Sequence, residues 1–296
     1  MDNPYVQYMY SYPHKTAYGP LSGICLEDYI QRLAGGQNSL YFHIPFCQSK
    51  CGYCNLFSVT GQPEDFMSAY IDAMEGQAEQ LRSILPEGAD FLDLTLGGGT
   101  PLLLSEKQLE RVFSIARDRM GFKGKTVIVE TSPAQTTEEK AALLKENGVI
   151  RVSMGVQSFH DEELRALNRR HKVEQVHRAA HILKKSNFPC MNLDLIYGIP
   201  GQTVKSLLDS ADQAAAYEPE EMFVYPLYIK KGTFLAQKVT IHPENIYEMY
   251  QELRDFLKER GYKQLSMRRF VKDPDSLDQR SCGFENTISI GCGGRS

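Results

Sequence analysis

The chain has 296 residues, of which 42% are hydrophobic and 24% charged, the composition of an ordinary globular protein. Its length suits one large domain or two small ones, and it can bury a core without disulfides or a metal. A net charge of −4 offers no basic surface for nucleic acid, and no apolar run approaches the ~20 residues of a membrane span. The N-terminus lacks signal-peptide features, so we expect a cytoplasmic, reducing location.

Strand and helix patterns alternate along most of the chain. Residues 1–38, rich in Tyr, Pro and Gly, predict an irregular arm. Apolar runs then predict strands at 39–46, 91–96, 126–131, 151–157, 190–198 and 221–228. Helical periodicity predicts helices at 63–85, 105–120, 136–148, 161–167, 173–186, 203–217 and 243–261. The alternation predicts parallel strands with right-handed crossovers, covered on both faces, and it fits both an open six-unit barrel and a doubly wound sheet.

The seven cysteines are unevenly distributed, and an odd number without a secretion signal argues against a disulfide framework. Three of them, Cys47, Cys51 and Cys54, lie within eight residues. Thiolates are ligands for iron–sulfur clusters, zinc or copper(I). The spacing favours an iron–sulfur cluster, and a structural zinc site completed by His43 or a distant cysteine is the alternative.

The other four cysteines carry weaker signals. Cys25 and Cys190 are most simply buried small hydrophobic residues. Cys282 and Cys292, ten residues apart, are a weak candidate for a second metal site.

Polar or metal-binding residues follow the predicted strands. In parallel barrels, active-site residues cluster at the carboxyl ends of the strands. The residues at those ends are, in strand order, the three cysteines, Gly97–Pro101, Glu130, Gln157, Asp194 with Tyr197, and Tyr225 with Tyr228. We therefore expect one shared site at this end of the sheet.

Several motifs resemble a known family. The segment Tyr41-Phe-His-Ile-Pro-Phe-Cys47-x3-Cys51-Gly-Tyr53-Cys54 resembles the radical S-adenosylmethionine (SAM) signature, in the form found in oxygen-independent coproporphyrinogen III oxidases and their relatives. Further family-like motifs follow in order at Gly97–Pro101, Glu130–Pro133, Ser153–Phe159 and Asn192–Gly201. The resemblance implies a partial (β/α)6 TIM-like radical SAM barrel over residues 39–232. It also implies an N-terminal arm at 1–38 and an incomplete C-terminal extension at 233–296, which we expect to be truncated.

The resemblance also implies cofactors and roles. Cys47, Cys51 and Cys54 would each bind one iron of a [4Fe–4S] cluster, and the fourth iron would bind the amino and carboxylate groups of SAM. One electron, from a reductant such as flavodoxin or ferredoxin, would release a 5′-deoxyadenosyl radical that abstracts hydrogen from a small-molecule substrate. The implied SAM contacts are Tyr41, Tyr53, Gly98, Gly99, Thr100, Glu130, Gln157, Arg169 and Asp194.

Individual contacts follow from side-chain chemistry within that resemblance. Tyr53 would pack on the adenine side. Glu130 and Asp194 suit hydroxyl or ammonium groups, and Arg169 suits a carboxylate. Each polar residue has a structural ion-pair role as its alternative.

One position departs from the true oxidases, which carry a further cysteine directly after the C-x-x-C segment. Asn55 stands there in this chain, and heme-chaperone-like and other relatives also lack the cysteine. The departure puts oxidase activity itself in doubt and indicates an oxidase-like subfamily. Cationic candidates for binding an anionic substrate, such as a carboxylated tetrapyrrole, are His14, Lys15, Arg268, Arg269 and Arg295, with a solvated surface cation as the alternative for each.

Three hypotheses remain open from the sequence. The first is a radical SAM enzyme that acts on an unknown, tetrapyrrole-like substrate. The second is a heme-binding, chaperone-like protein that keeps the cluster and the SAM site without oxidase activity. The third is a zinc-stabilised α/β protein with no redox role.

Overall fold

The computed structural model describes residues 19, 22–23, 29–35, 38–124, 126–230, 232–237, 243–275 and 286–294, except for the side chains of 243–245. Five residues with predicted roles lie outside the described part of the chain: His14, Lys15, Cys25, Cys282 and Arg295. No helix in the described ranges combines the length and the apolar character needed to cross a membrane.

The described residues form eleven strands and seven α-helices. The strands are β1 Asn38–Ile44, β2 Phe46–Cys47, β3 Val59–Thr60, β4 Phe91–Gly98, β5 Thr126–Thr131, β6 Arg151–Gln157, β7 Cys190–Tyr197, β8 Glu221–Pro226, β9 Lys263–Gln264, β10 Arg269–Val271 and β11 Asn286–Ile290. The helices are α1 Glu64–Ile84, α2 Glu106–Ser114, α3 Glu138–Glu146, α4 Asp161–Ala166, α5 Val173–Ser186, α6 Val204–Ala215 and α7 Pro243–Glu259. All six predicted strand–helix units are therefore present.

Local sequence signals set several helix ends. The Ser105 side chain accepts a hydrogen bond from the backbone N–H of Gln108, and the Gln108 side chain accepts one from the Ser105 N–H, a capping box that starts α2. The π-helical turn Ile115–Arg119 then continues α2. Gly148 follows the last turn of α3 with a φ of 72°, the left-handed conformation expected of a residue just beyond a helix end.

The strand order distinguishes between the two predicted architectures. Strands β1, β4, β5, β6, β7 and β8 are neighbours in chain order, and each pair is parallel. In a doubly wound sheet the order of the strands reverses at a switch point. In this sheet each strand lies beside the one before it in the chain, so every right-handed crossover runs in the same direction, as in a barrel. The open (β/α)6 barrel is confirmed.

Short additional strands extend both edges of this sheet. Strand β11 pairs in parallel with β1, and β10 pairs antiparallel with β8 and is flanked by β9. Among the described residues no pairing joins β11 to β9, so the barrel stays open. Residues beyond 232 therefore contribute strands to the same sheet as the first strand of the chain.

The two faces of the sheet differ in polarity. On β6, Val152, Met154 and Val156 are fully buried in the main apolar core, to which the helices also contribute. The alternate residues Ser153 and Gly155 line a cavity on the other, concave face. The sheet was predicted to be covered on both faces, and this holds for the convex face alone. The concave face instead lines the cavity and carries polar side chains.

A second, smaller apolar cluster lies at the carboxyl ends of the strands. We call it the upper cluster, and it consists of Leu167, Ile196, Ile199, Leu227 and Leu235. Tyr53, between two of the clustered cysteines, packs against it. The upper cluster thereby joins the cysteine segment to the ends of β7 and β8.

Candidate functional site

A cavity of about 440 Å³ opens at the carboxyl ends of the parallel strands. Its volume lies within the usual range of small-molecule sites. Eleven of the twelve predicted site residues line it, namely Cys47, Cys51, Cys54, Tyr53, Gly98, Gly99, Thr100, Glu130, Gln157, Arg169 and Asp194. The twelfth, Tyr41, lies behind the cavity wall. The structure thus brings together residues that are spread over nearly 150 positions of the chain.

The cysteine segment forms one wall of the cavity and is held in place by its backbone. Cys47 ends β2, which pairs in parallel with β3. The Gly52 N–H donates to the Leu167 carbonyl at 2.8 Å, and the Leu235 N–H donates to the Gly52 carbonyl at 2.9 Å. A Cβ at position 52 would approach the Leu235 side chain to 2.9 Å, so a glycine is required there.

The three thiols are free and partly buried. Burial raises the pKa of Cys47 and of Cys54 above the ordinary thiol value. The Thr100 hydroxyl donates a long hydrogen bond of 3.9 Å to Cys47 Sγ. Metal binding replaces the thiol protons, so these sulfurs suit a cation that deprotonates its ligands.

The zinc alternative fits this geometry poorly. His43 Nε2 bonds to the Phe57 carbonyl at 2.9 Å, and Nδ1 lies 3.3 Å from the Tyr41 hydroxyl, so both ring nitrogens have partners. Within the described ranges, no group of three or more His, Cys, Asp or Glu side chains is arranged to hold a single metal ion. A multi-iron cluster bonds each thiolate to a different iron and so does not need the sulfurs to converge on one point.

The glycine turn after β4 packs against the start of the cysteine segment. The Gly99 N–H donates to the Ile44 carbonyl and the Thr100 N–H to the Phe46 carbonyl, each at 2.8 Å. A Cβ on Gly99 would lie 2.9 Å from Cys47 Sγ. Gly98 has a φ of 113°, a conformation that favours glycine. The turn therefore lets the backbone reach the Cys47 sulfur at a place where a side chain would intrude.

Glu130 on β5 lies beside this turn. The Gly98 N–H donates to Glu130 Oε2 at 3.2 Å. The carboxylate is exposed to the cavity, and its enclosure by the cavity walls raises its pKa. A Cβ on Gly97 would touch both Glu130 and Tyr41, which places the Tyr41 ring next to the carboxylate. Tyr41 thus acts behind Glu130 rather than on the cavity surface.

The end of β6 is strained. Gln157 follows a register shift in the β6–β7 pairing and has a φ of 74°, which is uncommon for a residue other than glycine. The Arg169 Nη2 group donates to the Gly155 carbonyl just before it. Residues in such conformations persist only where the surrounding structure holds them, and they concentrate at functional sites.

Asp194 on β7 faces the middle of the cavity. Burial raises its pKa to about 7, although Asn192 Nδ2 donates to Asp194 Oδ1 at 2.8 Å and favours the ionised form. Its carboxylate therefore changes charge close to neutral pH.

The two neighbouring arginines predicted to bind an anion have different surroundings. Arg268 lines the cavity and lies over the Tyr225 ring, 5.5 Å from its centroid. Arg269 instead forms an ion pair with Glu221, which is fully buried and is also bound by Arg151 Nη2 at 2.6 Å. The prediction for Arg269 is therefore wrong, because its charge is used to compensate a buried carboxylate.

Several residues that line the cavity were not predicted to have a role, among them Ser153, Arg170, His171, Ile196 and Lys230. Ser153 and Ile196 lie two or four residues from predicted site residues on the same strand, so strand alternation would have found them. Arg170 and His171 follow Arg169 in a loop, where no periodic signal applies.

The site offers a fitting donor set for an iron–sulfur cluster and a charged cofactor. Three free thiols line one wall, and a glycine turn leaves room beside them. Arg169 Nε is buried and, within the described part of the chain, has no hydrogen-bond partner. An anionic group at this place would supply the missing acceptor.

Comparison with known proteins gives consistent results. The family model of the radical SAM superfamily matches residues 41–214. The heme chaperone HemW of Bacillus subtilis is 35% identical over 250 residues, covering 79% of this chain and 63% of that protein. HemW of Buchnera aphidicola is 31% identical over 259 residues, covering 86% and 68% respectively.

The oxidases are similar as well. The oxygen-independent coproporphyrinogen III oxidase of Escherichia coli is 29% identical over 285 residues, covering 92% of this chain and 62% of the oxidase. The solved structure of coproporphyrinogen III oxidase (HemN) from Escherichia coli matches with a TM-score of 0.83 at 25% identity, covering 96% of this chain and 70% of that one. The chain thus spans somewhat under two thirds of the length of several of its relatives. With its cysteine segment, open barrel and family match, the chain belongs to the radical SAM superfamily, whose cofactors are a [4Fe–4S] cluster and SAM.

Proposed function

We propose that the chain is an enzyme that cleaves SAM reductively to begin radical chemistry on an anionic, tetrapyrrole-like substrate. The observation that carries the proposal is the convergence of three free thiols, a glycine turn and polar strand-end side chains on one cavity. Fold likeness alone would not support a reaction, because one barrel hosts many chemistries.

Each part of the cavity has a task in this proposal. Cys47, Cys51 and Cys54 hold the cluster, which when bound supplies one electron to the sulfonium of SAM. Glu130 accepts hydrogen bonds from the ammonium group of SAM. Asp194 accepts them from hydroxyl groups of the sugar.

Three further features of the wall complete the SAM site. Gln157 offers an amide that both donates and accepts hydrogen bonds. Arg169 pairs with the SAM carboxylate through Nε, the guanidinium donor that has no acceptor among the described residues. The turn at Gly98 and Gly99 admits the methionine end of SAM close to the backbone.

The substrate class is argued from the wall formed by the end of β8 and the segment beyond it. Tyr225 and Tyr228 line the cavity, with Arg268 over the first ring and Lys230 Nζ 5.6 Å from the centroid of the second. Phe223 stacks on Tyr225 at 5.7 Å with an interplanar angle of 14°. Flat aromatic surface combined with two cations suits a planar ligand that carries carboxylates.

The second candidate function is heme carriage without oxidation. It is favoured by the HemW relatives, which are named heme chaperones, and by Asn55, which lines the cavity where the true oxidases have a cysteine. The same aromatic and cationic wall would suit heme propionates.

The first experiment is low-temperature EPR of the anaerobically reconstituted, reduced protein with and without SAM, followed by assay of 5′-deoxyadenosine. We expect a [4Fe–4S]⁺ signal that SAM alters, and deoxyadenosine that forms with a tetrapyrrole present. Tight stoichiometric heme binding without deoxyadenosine would favour the carrier. Zinc retained in place of iron would exclude both functions.

A further inference from the structure

The three cysteine sulfurs have unequal surroundings, and this difference extends the proposed function. Cys47 Sγ receives a neutral hydroxyl donor, Thr100 Oγ1, at 3.9 Å. Cys54 receives a backbone donor from Leu56. Cys51 Sγ receives a charged donor, Arg169 Nη1, at 3.1 Å. Among the described residues, Cys51 is thus the cysteine of this segment with a guanidinium hydrogen bond.

The Arg169 side chain is fixed in this position. Its Nη2 group donates to the Gly155 carbonyl, so the two arms of the fork join the cysteine segment to the end of β6. The Arg169 backbone N–H donates to the Leu164 carbonyl at 2.9 Å. A donor held in this way needs little reordering when it acts on the sulfur.

The segment that carries Arg169 is also tied to the cysteine segment by other bonds. Asn168 Nδ2 donates to the Lys50 carbonyl at 3.1 Å, next to the Leu167–Gly52 backbone bond. An arginine guanidinium keeps its charge in proteins, so a cation lies beside the Cys51 sulfur.

We propose that Arg169 raises the reduction potential of the cluster through its hydrogen bond to Cys51 Sγ, in addition to binding the SAM carboxylate. Reduction adds negative charge to a cluster and its thiolates. A charged hydrogen-bond donor on one thiolate stabilises the reduced form more than the oxidised form. Arg169 is therefore a positioning residue that makes the electron easier to accept and that links this property to the strained end of β6.

The proposal rests on the proposed function, because it requires the three cysteines to hold the cluster. The experiment is an EPR-monitored redox titration of the reconstituted protein in the absence of SAM, which separates the thiolate contact from the carboxylate contact. The variants are Arg169→Met, which removes charge and donors, and Arg169→Lys, which keeps the charge without the fork. Arg170→Met is the matched control, since Arg170 is exposed and no hydrogen bond links it to a cysteine sulfur among the described contacts.

We expect a midpoint potential that is more negative in Arg169→Met, shifted less in Arg169→Lys, and close to the unsubstituted chain in Arg170→Met. Equal potentials in Arg169→Met and the unsubstituted chain, at equal iron and sulfide content, would overturn the proposal. So would an equally large shift in Arg170→Met, which would indicate total charge as the cause. If Arg169→Met fails to hold a cluster, the midpoint potentials of Arg169→Lys and Arg170→Met are compared instead. A more negative potential in Arg169→Lys alone supports the proposal, and equal potentials in the two variants overturn it. An unsubstituted chain that binds no cluster would refute the proposed function instead.

Discussion

The convex and concave faces of the sheet are built from alternate residues of the same strands, but the convex face is apolar and the concave face is polar. On β7, Leu193 and Leu195 are fully buried in the apolar core, whereas Asn192 and Asp194 point to the concave side. Burying apolar area stabilises the fold, and buried polar groups cost free energy unless they have partners. The residues on the convex face therefore stabilise the fold, whereas the neighbouring residues on the concave face line the candidate site.

The largest effect is expected at the cysteine wall of the concave face. Cys51→Ser should abolish cluster binding and SAM cleavage, because a hydroxyl is a poor substitute for a thiolate at iron. Iron and sulfide content with the visible absorption spectrum measure the loss. Cys292→Ser is the control, since Cys292 is exposed and free, and it should load iron normally. Full iron content in Cys51→Ser would contradict the ligand assignment.

Neighbouring positions on β7 test the contrast between the faces directly. Leu193→Ala should lower the free energy of unfolding by about 2–5 kcal/mol, because it leaves a cavity in a packed core. Asp194→Asn keeps the size of the side chain and removes a buried carboxylate whose pKa is raised, so it should not lower stability while it weakens SAM binding. Urea denaturation and SAM titration of both variants provide the comparison. Equal loss of stability in the two variants would remove the distinction between the faces.

The adjacent arginines near β10 sharpen the same comparison. Arg269→Met leaves the buried Glu221 carboxylate with Arg151 as its remaining ion-pair partner among the described residues. The change should cost about 2–3 kcal/mol of unfolding free energy, somewhat below the loss of a whole buried ion pair. Arg268→Met should cost less than about 1 kcal/mol and weaken binding of coproporphyrin III, a tetracarboxylate probe. A reversed pattern would place the anion site at Arg269.

The smallest expected effect is the pH dependence that Asp194 gives to stability and to SAM affinity. Its pKa is raised to about 7 from 3.8, so the folded chain holds the proton more tightly than the unfolded chain. This group therefore stabilises the fold at acid pH, and its contribution is lost as the pH rises towards 7. In the proposed SAM site the ionised carboxylate is the stronger acceptor for the sugar hydroxyls, so SAM affinity should fall by up to about tenfold per pH unit below 7. SAM titrations at several pH values test this, and Asp194→Asn should show no such fall.

Much of the barrel could be predicted because its signals are local. Strand runs and helix periodicity fall within windows of 6 to 20 residues, and all six units appeared near the predicted bounds. The exact ends moved by a few residues. The π-helical turn after α2 and the strain at Gln157 were not predicted, since both depend on packing around the segment rather than on its residues.

The amino-acid sequence by itself determined the cysteine spacing, the glycine turn and the alternation that sorts each strand into an apolar and a polar face. These features arise between residues that are close along the chain. Tertiary structure alone decided that β11 pairs with β1, that Arg269 serves Glu221 and not a ligand, and that Arg169 reaches Cys51 across 118 residues. Such contacts depend on how distant strand ends meet when the sheet curls, and no local pattern encodes that meeting.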